Sequence, residues 1–227
     1  MSPLAGTLVT LAGTPDDASI VDVHLATTAR LAADTVAGVD YASITAWRGR
    51  DYTTVAASSE LARAVDQAQY PEHAGPCVRA AETGTPVAVP DVAATMSWPR
   101  FYQTALDLGL HASLSVPLFA GSGTPIAVLN LYGRDAAAML PLMAGVRLIY
   151  AGHQLPEHSW PDGIDTGGQQ LLTGLAQALA VRATVQRAVG VIMARDELDA
   201  DEAYLRLRVR AAEADVSLAH AAEALSG

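Results

Sequence analysis

The sequence predicts an α+β fold in which an antiparallel sheet with flanking helices is followed by a separate all-α unit of three helices. Five short strand-like runs and two turn-like connections predict the sheet, because connections this short join neighbouring antiparallel strands. The helical unit is predicted by the spacing of apolar residues after position 168, which has a helical period throughout. The chain of 227 residues is 51% hydrophobic, which is enough to bury the cores of two small domains.

The first part of the chain supplies the elements of the sheet. An amphipathic stretch that begins after Asp16 and ends at Gly38 predicts a helix. Its apolar face consists of Ile20, His24, Leu25, Thr28, Leu31, Ala32 and Val36. The strand-like runs lie at 42–49, 52–58, 86–91, 113–120 and 125–133. The short connections at 49–51 and 120–124 predict two antiparallel hairpins, with helices before, between and after them.

The segment 151–168 separates two parts of the chain that differ in their pattern of apolar residues. It contains two Pro, four Gly and three acidic residues and has no apolar period, which is typical of a linker. We therefore expect a first domain over residues 1–150, a linker over residues 151–168 and a second domain over residues 169–227.

The second domain begins with a long apolar seam. The positions that recur at alternating spacings of four and three residues, interrupted once by Arg182, are Leu171, Leu175, Ala178, Val185, Val189 and Ile192. This is the spacing of a coiled-coil seam, which needs a partner helix, so it predicts a homodimer. Asp199 and Glu202 have the spacing of a capping box and predict the start of a second helix, and Ser217 predicts the start of a third.

Charge and composition exclude several classes of function. All fourteen basic residues are Arg in a chain with a net charge of −10, so Schiff-base lysines and the Walker lysine are absent. A single cysteine, Cys77, excludes an intrachain disulfide and a cysteine-cluster zinc site and is typical of a reducing compartment. No apolar run is long enough for a membrane span, and the first basic residue is Arg30, so no signal peptide is expected.

We therefore predict a cytoplasmic protein that does not contact a membrane. No Ser, His and Asp arrangement, paired-carboxylate motif or glycine-rich phosphate loop rises above chance, so we predict that the protein is not an enzyme. The sequence indicates no metal site and does not identify a cofactor.

Spaced residues in the tail form a family pattern. They are Arg182, Ala188, Gly190, Ile192 and Met193 on the first helix, Glu202, Ala203, Tyr204, Leu207 and Arg208 on the second, and Leu218, Ala222 and Leu225 on the third. In these residues the tail resembles an ANTAR domain, the three-helix RNA-binding module of bacterial antitermination regulators, and the resemblance implies RNA hairpins as partners. ANTAR domains commonly carry a lysine where this chain has Val189, so Arg187 would have to supply that contact to RNA phosphate.

The first domain carries a second family pattern. Its residues are Asp66, Gln67, Gln69 and Tyr70, then 75–77 (GPC), 90–91 (PD), 98–101 (WPRF), 115–118 (SVPL) and 130–134 (NLYGR). In this pattern, which spans most of residues 15–150, the domain resembles GAF domains, in particular those fused to ANTAR domains. The resemblance implies a sensor for a small molecule, a redox state or a partner.

Five arginines of the tail are candidates for RNA contacts: Arg187, Arg195, Arg206, Arg208 and Arg210. Arginine combines a permanent charge with a planar fork that suits phosphates and base edges, and it stacks on unpaired bases. The alternative is an exposed helix surface whose arginines pair with nearby acids, which are Asp196, Glu197, Asp199, Asp201 and Glu213. Charge alone favours this alternative, whereas the family pattern favours RNA.

Seven residues of the first domain are candidates for a ligand pocket: Trp47, Asp66, Tyr70, Cys77, Asp91, Trp98 and Phe101. They suit a mostly apolar pocket with a few polar anchors. We expect this pocket between the sheet and residues 66–101, with Cys77 at its rim because it follows a Gly-Pro turn. The alternatives are core packing for Trp98 and Phe101, and a small buried hydrophobe for Cys77.

Together these patterns predict a regulator in which a GAF sensor, responding to an unknown ligand or redox signal, controls an ANTAR domain. The resemblance implies that the ANTAR domain binds paired RNA hairpins and permits transcription through a terminator. The rival hypothesis is a dimeric protein-interaction module whose ANTAR-like tail no longer binds RNA. Val189 favours the rival, as does the net charge of −2 that six Arg and eight acidic residues give to residues 171–227.

Overall fold

The computed structural model describes residues 2–48, 51–95, 97–152 and 160–226. Within these residues five strands form one antiparallel sheet: β1 (Tyr41–Arg48), β2 (Asp51–Ala57), β3 (Val87–Val89), β4 (Ala112–Phe119) and β5 (Pro125–Gly133). Their order is β2-β1-β5-β4-β3, and every neighbouring pair is antiparallel. The predicted fold class and both hairpins are confirmed, although two residues of the first turn, Gly49 and Arg50, lie outside the described residues.

The helices of the described ranges flank and follow the sheet. They are α1 (Pro3–Ala12), α2 (Val21–Thr35), α3 (Glu60–Gln67), α4 (Pro76–Thr83), α5 (Pro99–Asp107), α6 (Ala136–Tyr150), α7 (Thr166–Asp196), α8 (Ala200–Glu213) and α9 (Leu218–Ser226). Asp199 and Glu202 form the predicted capping box of α8. The predicted three-helix unit is therefore present as α7, α8 and α9.

The predicted linker is only partly described, because residues 153–159 lie outside the described ranges. Helix α7 already begins within it, at Thr166, where the Asp165 side chain accepts the backbone N–H groups of Gly167 and Gly168. The limits of the two domains and the linker stay predictions.

Helix α1 is an element that the sequence analysis did not anticipate. Ser2 caps it by accepting the backbone N–H of Ala5, and Pro3 occupies its first position. The helix packs along α7 through a buried face of Leu4, Leu8 and Leu11. The two helices come close at Gly174, where a Cβ atom would lie 2.7 Å from the Cα of Ala5.

One face of the sheet is apolar. Strands β1, β4 and β5 turn every second side chain towards this face. These side chains are Ala42, Ile44, Ala46, Ala112, Leu114, Val116, Leu118, Ala127, Leu129 and Leu131, and all are buried. They form one hydrophobic cluster with α1, α2, α6 and the first half of α7, so that half of α7 belongs to the core of the sheet domain.

The opposite face of the sheet is polar, although it is also buried. It carries Ser43, Thr45, Thr54, Ser115 and Asn130. Helix α3 packs against β1 and β2 on this side, and α4 packs against β3, β4 and β5. These two helices therefore cover polar groups that need hydrogen-bond partners inside the protein.

The apolar seam of α7 is covered within the chain. Leu171 and Leu175 are buried in the cluster of the sheet domain. Val185, Val189 and Ile192 are buried in a second cluster with α8 and α9. The predicted need of this seam for a second chain is therefore wrong, because α1, α8 and α9 supply the partner helices. Homodimerisation itself stays a prediction.

Candidate functional site

A buried carboxylate lies at the centre of the polar face. Asp66, at the end of α3, is fully buried and accepts four hydrogen bonds. The donors are Tyr132 Oη (2.6 Å), Ser43 Oγ (2.9 Å) and Asn130 Nδ2 (3.0 Å) to Oδ1, and Thr54 Oγ1 (3.0 Å) to Oδ2. We call Asp66, these four donors, Thr45 and Tyr70 the polar centre.

Within the polar centre, the direction of one hydrogen bond determines the direction of the next. Because the Thr54 hydroxyl gives its hydrogen to Asp66, it accepts from the Tyr70 hydroxyl at 2.7 Å. Tyr70 in turn lies 2.9 Å from Thr45 Oγ1. Ser115 donates to Asn130 Oδ1 at 2.9 Å, which orients the amide so that its Nδ2 group faces Asp66. The groups are thus mutually dependent donors and acceptors.

Burial decides the protonation behaviour of Asp66. Desolvation raises the pKa of this carboxyl to about 6, and the hydrogen bonds from Tyr132, Ser43, Thr54 and Asn130 oppose the rise without cancelling it. Where the chain is described, the ion pairs all lie elsewhere, so no cation stabilises the charged form. Asp66 therefore titrates closer to neutral pH than an exposed aspartate does.

Cys77 is fully buried, so its predicted place at the rim of a pocket is wrong. The residue lies in the first turn of α4, where its N–H donates to Gln69 Oε1 at 2.9 Å, and it packs against Val128 and Trp47. Its sulfur lies 3.4 Å from Asn130 Nδ2. Burial, and then the nearby Asp66, raise the pKa of the thiol to about 12, so the reactive thiolate is scarce at neutral pH.

The structure brings together four of the seven predicted ligand residues. Asp66 and Tyr70 belong to the polar centre, Cys77 contacts it through Asn130, and Trp47 packs against Cys77. Phe101 is buried in a neighbouring apolar cluster with Tyr132, and Trp98 meets it edge-on at 6.4 Å between ring centroids. Phe101 and Trp98 thus pack as the core-packing alternative describes, and a ligand site among these residues stays a prediction.

Asp91 stands apart from this group. It is exposed, and its carboxylate accepts the backbone N–H of Ala93 at 2.9 Å, which stabilises a local turn after β3. The structure thus places Asp91 outside the polar centre, with a local structural contact of its own.

Sequence reasoning missed Ser43, Thr45, Thr54, Asn130 and Tyr132 as members of the site. A signal was present in the strands, because Ser43 and Thr45 alternate with apolar residues and Asn130 interrupts the apolar run 125–133. An amide in the middle of an otherwise apolar strand must find partners when it is buried. Alternating small hydroxyl residues on the neighbouring strand supply them.

The second candidate site is on the three-helix unit. Asp196, at the end of α7, binds Arg195 Nε at 2.8 Å and Arg206 NH1 at 3.1 Å. The hydrogen bond from Arg195 holds the pKa of Asp196 below its usual range, and the charges of Arg206 and Arg210 act in the same direction. Two of the five candidate arginines therefore pair with one carboxylate and the charge of a third, Arg210, acts on it, which partly supports the exposed, acid-paired alternative.

The other two candidate arginines lie apart from this group. Arg187 is exposed on α7 and donates to Thr184 Oγ1 at 3.0 Å. Arg208 on α8 pairs with Asp17 of the first domain at 2.8 Å. Val189, which stands at the usual lysine position, is buried in the cluster with α8 and α9, so it offers no charge to a polyanion.

The described residues provide neither a metal-binding cluster nor a helix suited to span a membrane. Across the described residues, no group of three or more His, Cys, Asp or Glu side chains is placed to hold a metal ion. None of the helices in those ranges combines the length and hydrophobicity that crossing a membrane requires.

The structure thus joins a sheet with a buried polar centre to a three-helix unit that bears exposed arginines, and helix α7 is shared by both. In a comparison with protein families, residues 22–144 match the family model for the GAF domain, and residues 173–225 match that for the ANTAR domain. The chain therefore belongs to the GAF domain family and carries a C-terminal ANTAR domain. Both are families of regulatory domains and not of enzymes. A comparison with curated proteins finds no match.

Proposed function

We propose that the protein is a cytoplasmic regulator, without catalytic activity, in which the GAF domain controls RNA binding by the ANTAR domain. Bound to paired RNA hairpins, the ANTAR domain lets transcription pass a terminator. The observation that carries this proposal is the ANTAR match over residues 173–225, which coincides with a folded unit of three helices.

The arginines of the ANTAR domain give the proposal a chemical basis. Arg187, Arg195 and Arg206 are exposed, and Arg210 is half-buried on the same helix as Arg206. An RNA phosphate can replace Asp196 as the partner of Arg206, because the Arg206 side chain is half exposed and a phosphate accepts the same charge-assisted hydrogen bond. Few phosphate contacts are available, so stacking of loop bases on arginine planes should carry much of the affinity.

The direct test is a titration of paired-hairpin RNA at several salt concentrations. We compare the parent with the double variant Arg206→Ala, Arg210→Ala. Each lost phosphate contact should lower the slope of log affinity against log salt by about 0.7 to 0.9. The matched control is Arg30→Ala, Arg100→Ala, which removes two exposed, ion-paired arginines from the GAF domain. It should bind RNA as the parent does.

Equal affinity of the parent and the ANTAR variant would remove Arg206 and Arg210 from the RNA site. Failure of the parent to bind any paired hairpin under any ligand condition would favour the rival function, an interaction module. A specific observation supports this rival: Leu205 and Val209 on α8 are 57% and 47% exposed. They line a groove of about 460 Å³ with Arg206 and Arg210, and neighbouring apolar side chains of this kind occur at protein interfaces.

We also propose that the protein acts as a homodimer, because two ANTAR domains held together engage two hairpins at a high effective concentration. The seam of α7 cannot form the contact without unfolding the chain, since its residues are buried. Exposed apolar side chains such as Val23, Leu205 and Val209 are the available alternatives. Light scattering at micromolar concentration tests this, and a monomer would contradict it.

We propose that the signal read by the GAF domain is a small molecule or a partner, not the oxidation state of Cys77. Redox-sensing cysteines are exposed and have a low pKa. Cys77 has the opposite properties, being buried with a pKa of about 12. A metabolite screen that follows the thermal stability of the whole protein would identify a ligand, whereas a shift in RNA affinity under mild oxidant would contradict this proposal.

A further inference from the structure

The ANTAR domain is docked against the GAF domain through a candidate RNA-binding residue. Arg208 on α8 pairs with Asp17, which lies between α1 and α2 and is 191 positions away in the chain. The guanidinium of Arg208 also lies 5.8 Å from the ring centroid of Tyr204. A side chain that could bind phosphate is thus held by a carboxylate of the sensor.

The turn between β4 and β5 makes further contacts with the ANTAR domain. Arg182 donates to the carbonyl of Gly123 at 2.7 Å and lies 4.0 Å over the ring of Phe119. Gln186 donates to the carbonyl of Ser122. We call the contacts of residues 13–17 and 119–124 with α7, α8 and α9 the docking interface.

The docking interface is closely packed. A Cβ atom at Gly121 would lie 2.5 Å from the Tyr204 hydroxyl and 2.7 Å from Leu218 Cδ2. One at Gly13 would lie 3.8 Å from the Cβ of Ala219. The backbone of the sensor therefore approaches both α8 and α9, and there is no room for an RNA strand between them.

We propose that the docking interface is an autoinhibitory contact in which the Asp16–Asp17 segment occupies the place of an RNA phosphate at Arg208. The inference rests on the proposed RNA-binding function and adds how the sensor controls it. RNA binding requires Arg208 to leave Asp17, and a signal that releases the contact raises RNA affinity.

Electrostatics give the contact its selectivity against RNA. Asp16 is held beside Asp17 because its carboxylate accepts the N–H of Ser122 at 2.8 Å. The Asp17 carboxylate at Arg208 neutralises the arginine and repels an approaching phosphate. Docking and RNA binding thus compete, and the apparent RNA affinity falls with the fraction of undocked molecules.

A reversible covalent lock provides the main test. In the double variant Gly13→Cys, Ala219→Cys the Cβ atoms would stand 3.8 Å apart, and about 3.8 Å is the mean separation in disulfides. Gly13 has φ −92°, which other residues adopt readily. After oxidation with copper phenanthroline, the locked chain should bind paired-hairpin RNA about tenfold or more weakly than the same chain reduced.

Two single variants open the interface instead. Asp17→Asn removes the carboxylate, and because the ion pair is largely exposed the gain in RNA affinity should be about two- to fivefold. Gly121→Ala inserts a methyl group against Tyr204 and Leu218, which should raise RNA affinity further, by about tenfold. The matched control, Asp34→Asn, removes an ion-paired carboxylate from α2 and should leave RNA affinity unchanged.

The outcomes separate this inference from the proposed function. If the reduced lock variant and the parent both bind RNA, and the oxidised lock binds equally well, the docking interface is not inhibitory and RNA binding stands. If neither the parent nor Asp17→Asn nor Gly121→Ala binds paired hairpins, the proposed function itself fails. If Asp34→Asn raises RNA affinity as much as Asp17→Asn does, the effect comes from net charge alone. That result would overturn the specific role of Asp17.

Discussion

The two faces of the sheet are buried to a similar degree, but they are stabilised by different kinds of interaction. The apolar face packs leucine, alanine, isoleucine and valine side chains against α1, α2, α6 and α7, and this contact is non-directional. The polar face depends on directional hydrogen bonds that converge on Asp66. The apolar face therefore supplies most of the stability and anchors the output helix, whereas the polar face is the part that a small change can reorganise.

The apolar face should show the largest effect of a single substitution. Leu129 is fully buried in β5, a strand with a partner on each side. Leu129→Ala should lower the free energy of unfolding by about 2 to 5 kcal/mol, measured by urea denaturation. Leu140→Ala is the control, because Leu140 is exposed on α6 and its truncation should change stability by about 0.5 kcal/mol or less. Similar losses for both variants would contradict the comparison.

The polar face should respond to loss of its central amide by a smaller amount. Asn130→Leu keeps the approximate volume but removes the donor to Asp66 and the acceptor for Ser115. Unsatisfied buried polar groups should cost about 1 to 3 kcal/mol of unfolding free energy.

The double variant Asn130→Leu, Asp66→Leu sharpens this result. It removes the stranded carboxylate as well, so it should lose less stability than the sum of the two single variants. Strict additivity of the two losses would show that Asn130 and Asp66 are not coupled.

The pH dependence of stability should differ between the two faces, because only the polar face carries a titrating group. The pKa of Asp66 is raised from 3.8 to about 6 on folding, so its contribution to stability is present below the unfolded pKa and is lost as pH rises through about 6. Between pH 7 and pH 5 the parent should gain about 1 kcal/mol relative to Asp66→Asn. Asp91→Asn, an exposed aspartate, is the control and should follow the parent. A parallel pH profile for Asp66→Asn would refute the raised pKa.

The smallest effect is expected from thiol reagents. Cys77 is fully buried on α4 against Trp47 and Val128, so Ellman's reagent should label the native protein only through rare unfolding. Denaturation in urea should make the labelling fast. Rapid stoichiometric labelling of the native protein would show that the polar face opens far more often than its hydrogen bonds suggest.

The fold was largely predictable from sequence, because alternating strands and short turns are local patterns. Helix α1 was missed although its start carries Ser2 and Pro3, a recognisable cap, and although its buried leucines Leu4, Leu8 and Leu11 recur at helical spacing. What makes it a buried helix is packing along α7, a contact between distant parts of the chain. Local periodicity also showed that the seam of α7 needs a partner, but not that the partner lies in the same chain.

The candidate sites were less predictable for the same reason. Asp66 and Tyr70 could be chosen from a motif, but the hydroxyls that bind them come from β1 and β2 through pairing across the sheet. The depth of Cys77 depends on how α4 packs on β5, which the motif does not encode. The pair between Arg208 and Asp17 joins residues from the two ends of the chain, and no sequence spacing indicates it.

Helix α7 sets the rotational phase of the two domains. It is a single helix of 31 residues, about 46 Å long at about 1.5 Å per residue. Its first half is packed in one domain and its second half in the other, so the azimuth of the ANTAR domain depends on the residue count between Leu175 and Val185. One inserted residue would turn the ANTAR domain by about 100° and carry Arg208 away from Asp17. Sensor domains exchanged onto this output domain would therefore keep control only if the graft preserves the helical phase.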